Sequence, residues 1–284
     1  MTLYGFLGDT HANAAWTEYA IDFFERNGIT TVLQVGDFGV YPSKQFGQEF
    51  LRRVQHDAKE AGITIYVTRG NHENHDAINE LEDRGDGWLY LRDNIAVAPM
   101  VHRWEWDGLS FLSLGGAPSV DRTFQQKRGN WYASEMITPE HVAEAVEGGY
   151  ADFMVAHDAP IIPEIDDMIK DNPHGFLEAD LAYADEGRKL MHKAAHGVKP
   201  KFFVHGHYHF PVNAVKLWSS VDTGHFGTRD IVGNTRVIGL NKDLANFAFG
   251  IFDTETQEFT VPDIFMDYNT YRFGTEYKSK GSLK

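Results

Sequence analysis

The sequence predicts an α/β fold in one domain over residues 1–284, and three observations carry that expectation. Short apolar runs alternate with amphipathic stretches near the N-terminus, the pattern of strand–helix–strand units with a largely parallel sheet. Asp, Asn or His follows one apolar run after another, where an open α/β sheet places its ligands. A hydrophobic share of 42% over 284 residues is enough for one well-buried core.

The elements follow in chain order. "TLYGFL" (2–7) is the first expected strand. The stretch after it places Trp16, Tyr19, Ala20, Phe23 and Phe24 at helical spacing, and Asn27-Gly28 stops the helix. "TTVLQV" (30–35) is the second strand. Residues 46–62 read as a helix with Phe50, Leu51, Val54 and Ala58 inward. "ITIYVT" (63–68) is the third strand, and "RGNHENHDAINELED" runs from a loop into a helix.

The middle of the chain changes character. "VHRWEWDGLSFLSLGG" (101–116) sets Asp107-Gly108 between two β-rich runs, a hairpin signal. Residues 117–135 are polar and turn-rich, with few expected buried anchors. Residues 139–149 read as a helix with Pro139 at its start, and "DFMVAH" (152–157) as a strand. Residues 159–175 read mainly as a loop with a short helix, and 176–195 as a helix despite Gly187. "KFFVHG" (201–206), "NTRVIGL" and "NFAFGIFDTETQEF" complete the chain as strands with an antiparallel finish. No repeat, low-complexity tract or linker is evident, and 265–284 read as a loose tail.

Composition narrows the chemistry. There is no Cys, so neither disulfides nor thiolate ligands are available, and any metal must be held by nitrogen and oxygen donors. A net charge of -15, from 41 acidic and 26 basic residues, argues against long duplex nucleic acid as a partner. It leaves room for a small anion, because bound cations invert the local field. With no signal-like N-terminus and no apolar run of about 18 residues, the expected setting is cytoplasmic, without a membrane.

Five expected strand ends deliver the polar residues: Asp9 and His11, then Asp37, then Asn71 and His72, then His157, then His205, His207 and His209. Gly8, Gly36, Gly70 and Gly206 each precede one of these groups. Taken singly, each residue has an ordinary reading: Asp and Asn as turn or capping residues, His as a hydrogen-bonded core residue. Their joint placement favours ligation. Carboxylate, imidazole and amide donors suit Mn, Fe, Zn or Ni better than an all-oxygen Mg site.

These residues, as "DTH" (9–11), "GDFG" (36–39), "GNHE" (70–73), "AHD" (156–158) and "GHYH" (206–209), resemble the calcineurin-like metallophosphoesterase superfamily. The resemblance implies a four-layer αββα sandwich of two mixed β-sheets. It also implies two divalent or transition metal ions, Mn the most expected in assay. Asp9, His11 and His209 would bind the first ion and Asn71, His157 and His207 the second, with Asp37 bridging. His72 would assist the leaving oxygen, an imidazole being able to donate a proton near neutral pH. Glu73 would orient neighbouring groups, Asp158 would hold a ligand histidine, and His205 would be a core residue.

The resemblance also bears on the substrate. "GDFGVYP" lacks the Asp-Arg pair of phosphoprotein Ser/Thr phosphatases, and "GNHENHD" lacks their following arginine, which disfavours protein dephosphorylation. "GGAPSVDR" and "FQQKRGNWYASE" resemble a segment of small bacterial and phage-type members, several of them phosphodiesterases. Arg122, Lys127 or Arg128 would then meet the phosphate, with Trp131 or Tyr132 stacking on a base. The alternative is a solvated basic loop over an aromatic anchor. The expected activity is hydrolysis of small, nucleotide-like phosphodiesters, cyclic nucleotides among them, by metal-activated hydroxide. A phosphomonoesterase or nucleotide pyrophosphohydrolase is the enzymatic alternative, and a non-catalytic scaffold the alternative of another class.

Overall fold

The computed structural model describes residues 2–220 and 231–266. In chain order the first half comprises β1 (Leu3–Leu7), α1 (Ala14–Arg26), β2 (Thr31–Gln34), α2 (Gln45–Glu60), β3 (Thr64–Val67), α3 (His75–Asn79), β4 (Leu89–Arg92), β5 (Ile95–Val97), β6 (Val101–Trp106) and β7 (Leu109–Leu114). The second half comprises α4 (Arg122–Arg128), α5 (Pro139–Glu147), β8 (Phe153–Ala156), α6 (Pro163–Ile169), α7 (Glu178–Val198), β9 (Phe202–His205), β10 (Val212–Ser219), β11 (Ile231–Gly239), β12 (Phe249–Asp253) and β13 (Glu258–Thr260).

The strands form two mixed sheets, ordered β13-β12-β1-β2-β3-β5-β4 and β10-β11-β9-β8-β7-β6. Alternation along the strands sends one set of side chains between the sheets and the other outward. Between them lie Phe6, Leu33, Phe111, Phe153, Phe202, Val204 and Phe252. The outer face of the first sheet packs under α1 and α2 through Trp16, Phe24, Phe50 and Val54. That of the second packs under α5, α6 and α7 through Ala145, Ile165, Met191 and Ala194. The result is the αββα sandwich.

The parallel core strands point their carboxyl ends the same way within each sheet: β1, β2 and β3 pair in parallel, as do β8 and β9. Chain reversal at Asp107-Gly108 occurs with positive φ at both residues, joining β6 to β7 as the sequence indicated.

Several local expectations need correction. Strands β4, β5 and β10 had not been anticipated. The first two are only four and three residues long, too short to carry a period-two pattern, and β4 forms the sheet edge. The helix expected after "GNHE" is a five-residue turn, α3, capped by Asn74. Segment 117–135 is better anchored than its polarity suggested, because Ser119, Gln125 and Glu135 are buried and bonded to protein. The proposed tail over 265–284 lies, from 267 onward, outside the described residues. Among the described residues no helix is long and apolar enough to cross a membrane.

Candidate metal centre

Asp9 and His11 leave β1, Asp37 leaves β2, and Asn71 and His72 leave β3; His157 leaves β8, and His207 and His209 leave β9. The structure brings these together where the ends of the two sheets meet. Asp9, His11, Asp37 and His209 each offer an atom within 4.8 Å of one another. Asp9 and Asp37 are buried, whereas His209 reaches solvent.

A second group adjoins the first. His157 Nε2 lies 3.1 Å from Asn71 Oδ1 and 3.2 Å from Asp37 Oδ1. The His207 ring stands 5.0 Å from that of His157. Atom identities within both groups are set from outside. His157 Nδ1 bonds the Val35 carbonyl at 2.9 Å, which leaves Nε2 to face the cluster. Asn71 Nδ2 donates to Ser119 Oγ at 3.2 Å, which turns its Oδ1 inward. His11 Nδ1 bonds Asp243 at 2.9 Å, so its Nε2 faces Asp37 Oδ2 at 3.6 Å. A carboxylate that aims a histidine in this way is the usual support of a metal-ligating imidazole.

The backbone is shaped for this convergence. His11, Asp37, His207 and His209 all have φ between 48° and 69°, the left-handed region, at a cost of about 1–3 kcal/mol each. Local bonds hold them there: His11 N–H donates to the Asp37 carbonyl at 2.8 Å, and His207 N–H to the Asp9 carboxylate at 3.1 Å. A side chain at Gly206 would collide with Asp9 Oδ1, and one at Gly70 would collide with Asp37.

Glu73 ties two of the loops together. Its carboxylate accepts from Phe38 N–H (2.6 Å) and Gly39 N–H (3.3 Å) on one loop and from Gly70 N–H (2.8 Å) on the other. Burial, reinforced by nearby Asp37, pushes its pKa up to about 7. The His72 N–H reaches across in the opposite sense, donating to Asp37 Oδ1 at 2.8 Å.

The electrostatics call for cations. Burial would depress the pKa of His157, but Asp37 and Asp9 outweigh it and hold the imidazole at about 10. Burial likewise opposes the charge on His11, yet Asp243, Asp37 and Asp9 carry it to about 10. His207 is the exception, kept neutral by burial and by the neighbouring His157. The carboxylates therefore draw protons onto the imidazoles when no other cation is supplied. The donor set fits a metal: carboxylate and amide oxygens and imidazole nitrogens, all oriented, with no thiolate.

Other predicted residues take different places. Arg128 lines a cleft of about 460 Å³ together with His11, Tyr41, Lys44, Phe46, His72 and Asn130. Lys127 is exposed on α4. Arg122 lies 3.5 Å from Asp180 and stacks over Tyr183, clamping α4 to α7. Trp131 donates through Nε1 to Glu135 at 3.0 Å, and its ring meets Tyr183 edge-on, so it acts as the anchor beneath the loop. Neither Arg122 nor Trp131 lines that cleft. Asp158 accepts from the Tyr208 hydroxyl (2.6 Å) and from Ala159 N–H (2.7 Å) rather than from a ligand histidine. His205 is buried in β9, as expected of a core residue.

Sequence reasoning missed Asp243, which also accepts from Asn13 and docks its N–H on the Asp9 carbonyl. Its only local signal was a position just past the end of β11. It also missed Glu135, which accepts Ser119 Oγ–H at 2.8 Å and Ser119 N–H at 2.7 Å, extending support from Asn71 into the core. Tyr41 and Lys44 in the small cleft carried no signal beyond being polar loop residues.

Exonuclease subunit 1 of Enterobacteria phage T4 is 24% identical over 272 residues. These make up 93% of this chain and 64% of the phage protein, so the chain spans less than two thirds of that relative's length. The solved dimetal phosphatase from Danio rerio shares the fold at a TM-score of 0.51 with 11% identity, over 88% of this chain and 91% of that one. A novel archaeal phosphodiesterase gives a TM-score of 0.41 with 14% identity, over 93% of this chain and all of the other. The donor cluster on this sandwich supports metal-dependent phosphoesterase activity. The profile of the calcineurin-like phosphoesterases matches residues 3–211, from β1 through the last of the clustered histidines, and the chain belongs to that family.

Proposed function

We propose that the protein hydrolyses small, nucleotide-like phosphodiesters at a dinuclear metal centre built within one domain, in a cytoplasmic setting. Asp9, His11 and His209 would hold one ion, Asn71, His157 and His207 the other, and Asp37 both. The observation that carries this reading is the division of Asp37: Oδ2 faces His11 while Oδ1 faces His157. One carboxylate with an oxygen toward each donor group has the form of a bridge. Two ions, when bound, would supply Lewis acidity to the phosphoryl oxygens and activate water as the nucleophile.

The chain's own residues would do the rest. Asp243 fixes the His11 ring, Ser119 fixes the Asn71 amide, and Glu73 keeps the Asp37 and Asn71 loops in register. His72 opens on the small cleft beside Lys44 and Arg128, where its imidazole can protonate a departing oxygen. Likeness to an exonuclease subunit supports diesters over monoesters. The net charge of -15 supports short substrates over long duplexes, whose binding needs many cationic contacts.

Two measurements test the reading. Elemental analysis after loading with Mn should give close to two ions per chain; one ion would overturn the bridge. Comparison of kcat/KM at one Mn concentration should rank cyclic nucleotides and other small diesters above phosphomonoesters, dinucleoside polyphosphates, phosphopeptides and duplex DNA. A preference for monoesters or polyphosphates would move the assignment to those classes, and one for DNA would move it to a nuclease.

A further inference from the structure

A second, larger cavity of about 740 Å³ adjoins the cluster, and His207 and His209 form part of its wall. This volume lies in the range of sites for small organic molecules. Its remaining walls come from the end of α6, the loop that follows, the first turns of α7 and the turn after β9, with Pro118, Val120, Asp158 and Lys242 completing them. Met168, Ile169, Phe176, Leu181, Tyr208 and Phe210 are among its apolar and aromatic lining residues. Met168 is 54% exposed and Ile169 40%, an unusual outlay of large apolar side chains beside a polar centre.

Three of the four Asp, Arg and Lys side chains in this wall are engaged with protein, and the fourth, Lys242, is exposed. Asp158 accepts from Tyr208, Arg188 donates to Asp166 at 2.7 Å, and Asp185 pairs with Lys189. Asn172 spends its amide on the backbone of Phe176 in both directions. The smaller cleft differs: Lys44 and Arg128 stand there beside His72. A phosphoryl group at the cluster would therefore have a small side with two cations, which suits the departing oxygen, and a larger, mainly apolar side with one, Lys242.

We propose that this cavity receives the ester arm that stays on phosphorus, and that this arm is a ring-bearing group. The inference rests on the phosphodiesterase reading and deepens it. Water adds to phosphorus and the bond to the arm in the small cleft breaks. That arm leaves as an alcohol carrying the proton donated by His72, the proton that the water gives up restores the imidazole through solvent, and the product is the phosphomonoester of the arm in the large cavity.

The test uses the full chain loaded with Mn and two diesters that share a nitrophenolate leaving group: methyl nitrophenyl phosphate and phenyl nitrophenyl phosphate. Burying a phenyl ring in place of a methyl group should favour the phenyl diester by about 10- to 100-fold in kcat/KM. Met168→Glu and Ile169→Glu, at exposed positions, should each lower that ratio. Calorimetric titration with phenylphosphonate and methylphosphonate should give the same order as a ratio of Kd values, without turnover. Equal kcat/KM for the two diesters, or a ratio unmoved in both variants, overturns this inference alone. No turnover of either diester overturns the hydrolase reading and this inference with it.

Discussion

Ser119→Ala isolates the support of one candidate ligand from the ligand itself. The hydroxyl accepts Asn71 Nδ2–H at 3.2 Å and donates to Glu135 at 2.8 Å, and all three residues are buried. Glu135 keeps the backbone N–H of residue 119 and the Trp131 indole N–H, whereas the Asn71 amide loses its only outward partner in this chain of bonds. Losing two buried hydrogen bonds should destabilise the fold by about 1–3 kcal/mol. Asn71 can escape part of that cost by turning its amide over, which would present N–H instead of Oδ1 toward His157. The candidate second ion then loses an oxygen donor, and its affinity should fall about 10- to 100-fold, the usual scale for losing a ligand's support. The assay is activity titrated with Mn, alongside melting temperature with and without Mn. Half-saturation should move to higher Mn while turnover recovers at saturation. Trp131→Phe, which spares the Asn71–Ser119 bond, should destabilise the fold without moving half-saturation. An unchanged Mn titration in Ser119→Ala would refute the idea that this chain of bonds aims Asn71 at a metal.

Asp37→Asn should leave the sheets folded but reduce bound metal below two per chain and abolish most activity, as read by elemental analysis; full occupancy with full activity would remove the bridging assignment. His72→Ala should lower turnover by about 10²- to 10⁴-fold on poor leaving groups with metal content unchanged. Nitrophenolate esters should lose less, and equal loss across both kinds would count against proton donation. Phe153→Ala, fully buried with ring centroids 4.7–4.9 Å from Phe111, Phe202 and Phe252, should cost about 3–5 kcal/mol in urea unfolding. Burial raises Glu135 from 4.5 to about 7, so its protonated form contributes stability that is complete below pH 4.5 and lost as pH rises through 7. The stability of wild type relative to Glu135→Gln should therefore decline by up to about 3 kcal/mol across that window; a flat or rising difference would show that the carboxyl is not held in its neutral form.

The order of the elements and the kinds of donor were legible in the sequence because both are local. An apolar run followed by glycine and a carboxylate or imidazole marks a strand end whatever the rest of the chain does; β1, β2, β3 and β9 carry that mark, and β8 runs straight into His157 and Asp158. Asp107-Gly108 was equally plain, since a tight hairpin needs residues that accept positive φ. Orientation was not legible. That Asp243 aims His11 across 232 residues of sequence depends on the segment after β11 passing the end of β1, and no local pattern encodes this. Which atom Asn71 turns inward was decided by Ser119, and Ser119 by a buried Glu135, in a segment whose composition read as solvated loop. Arg122 and Trp131 looked like substrate residues because charge and aromaticity are visible in sequence; the packing of α4 on α7 engaged them with Asp180, Tyr183 and Glu135 instead. Periodicity and strand-end chemistry report what a residue can do. Its partner is chosen by long-range packing, and only the tertiary structure placed one oxygen of Asp37 toward each group of donors.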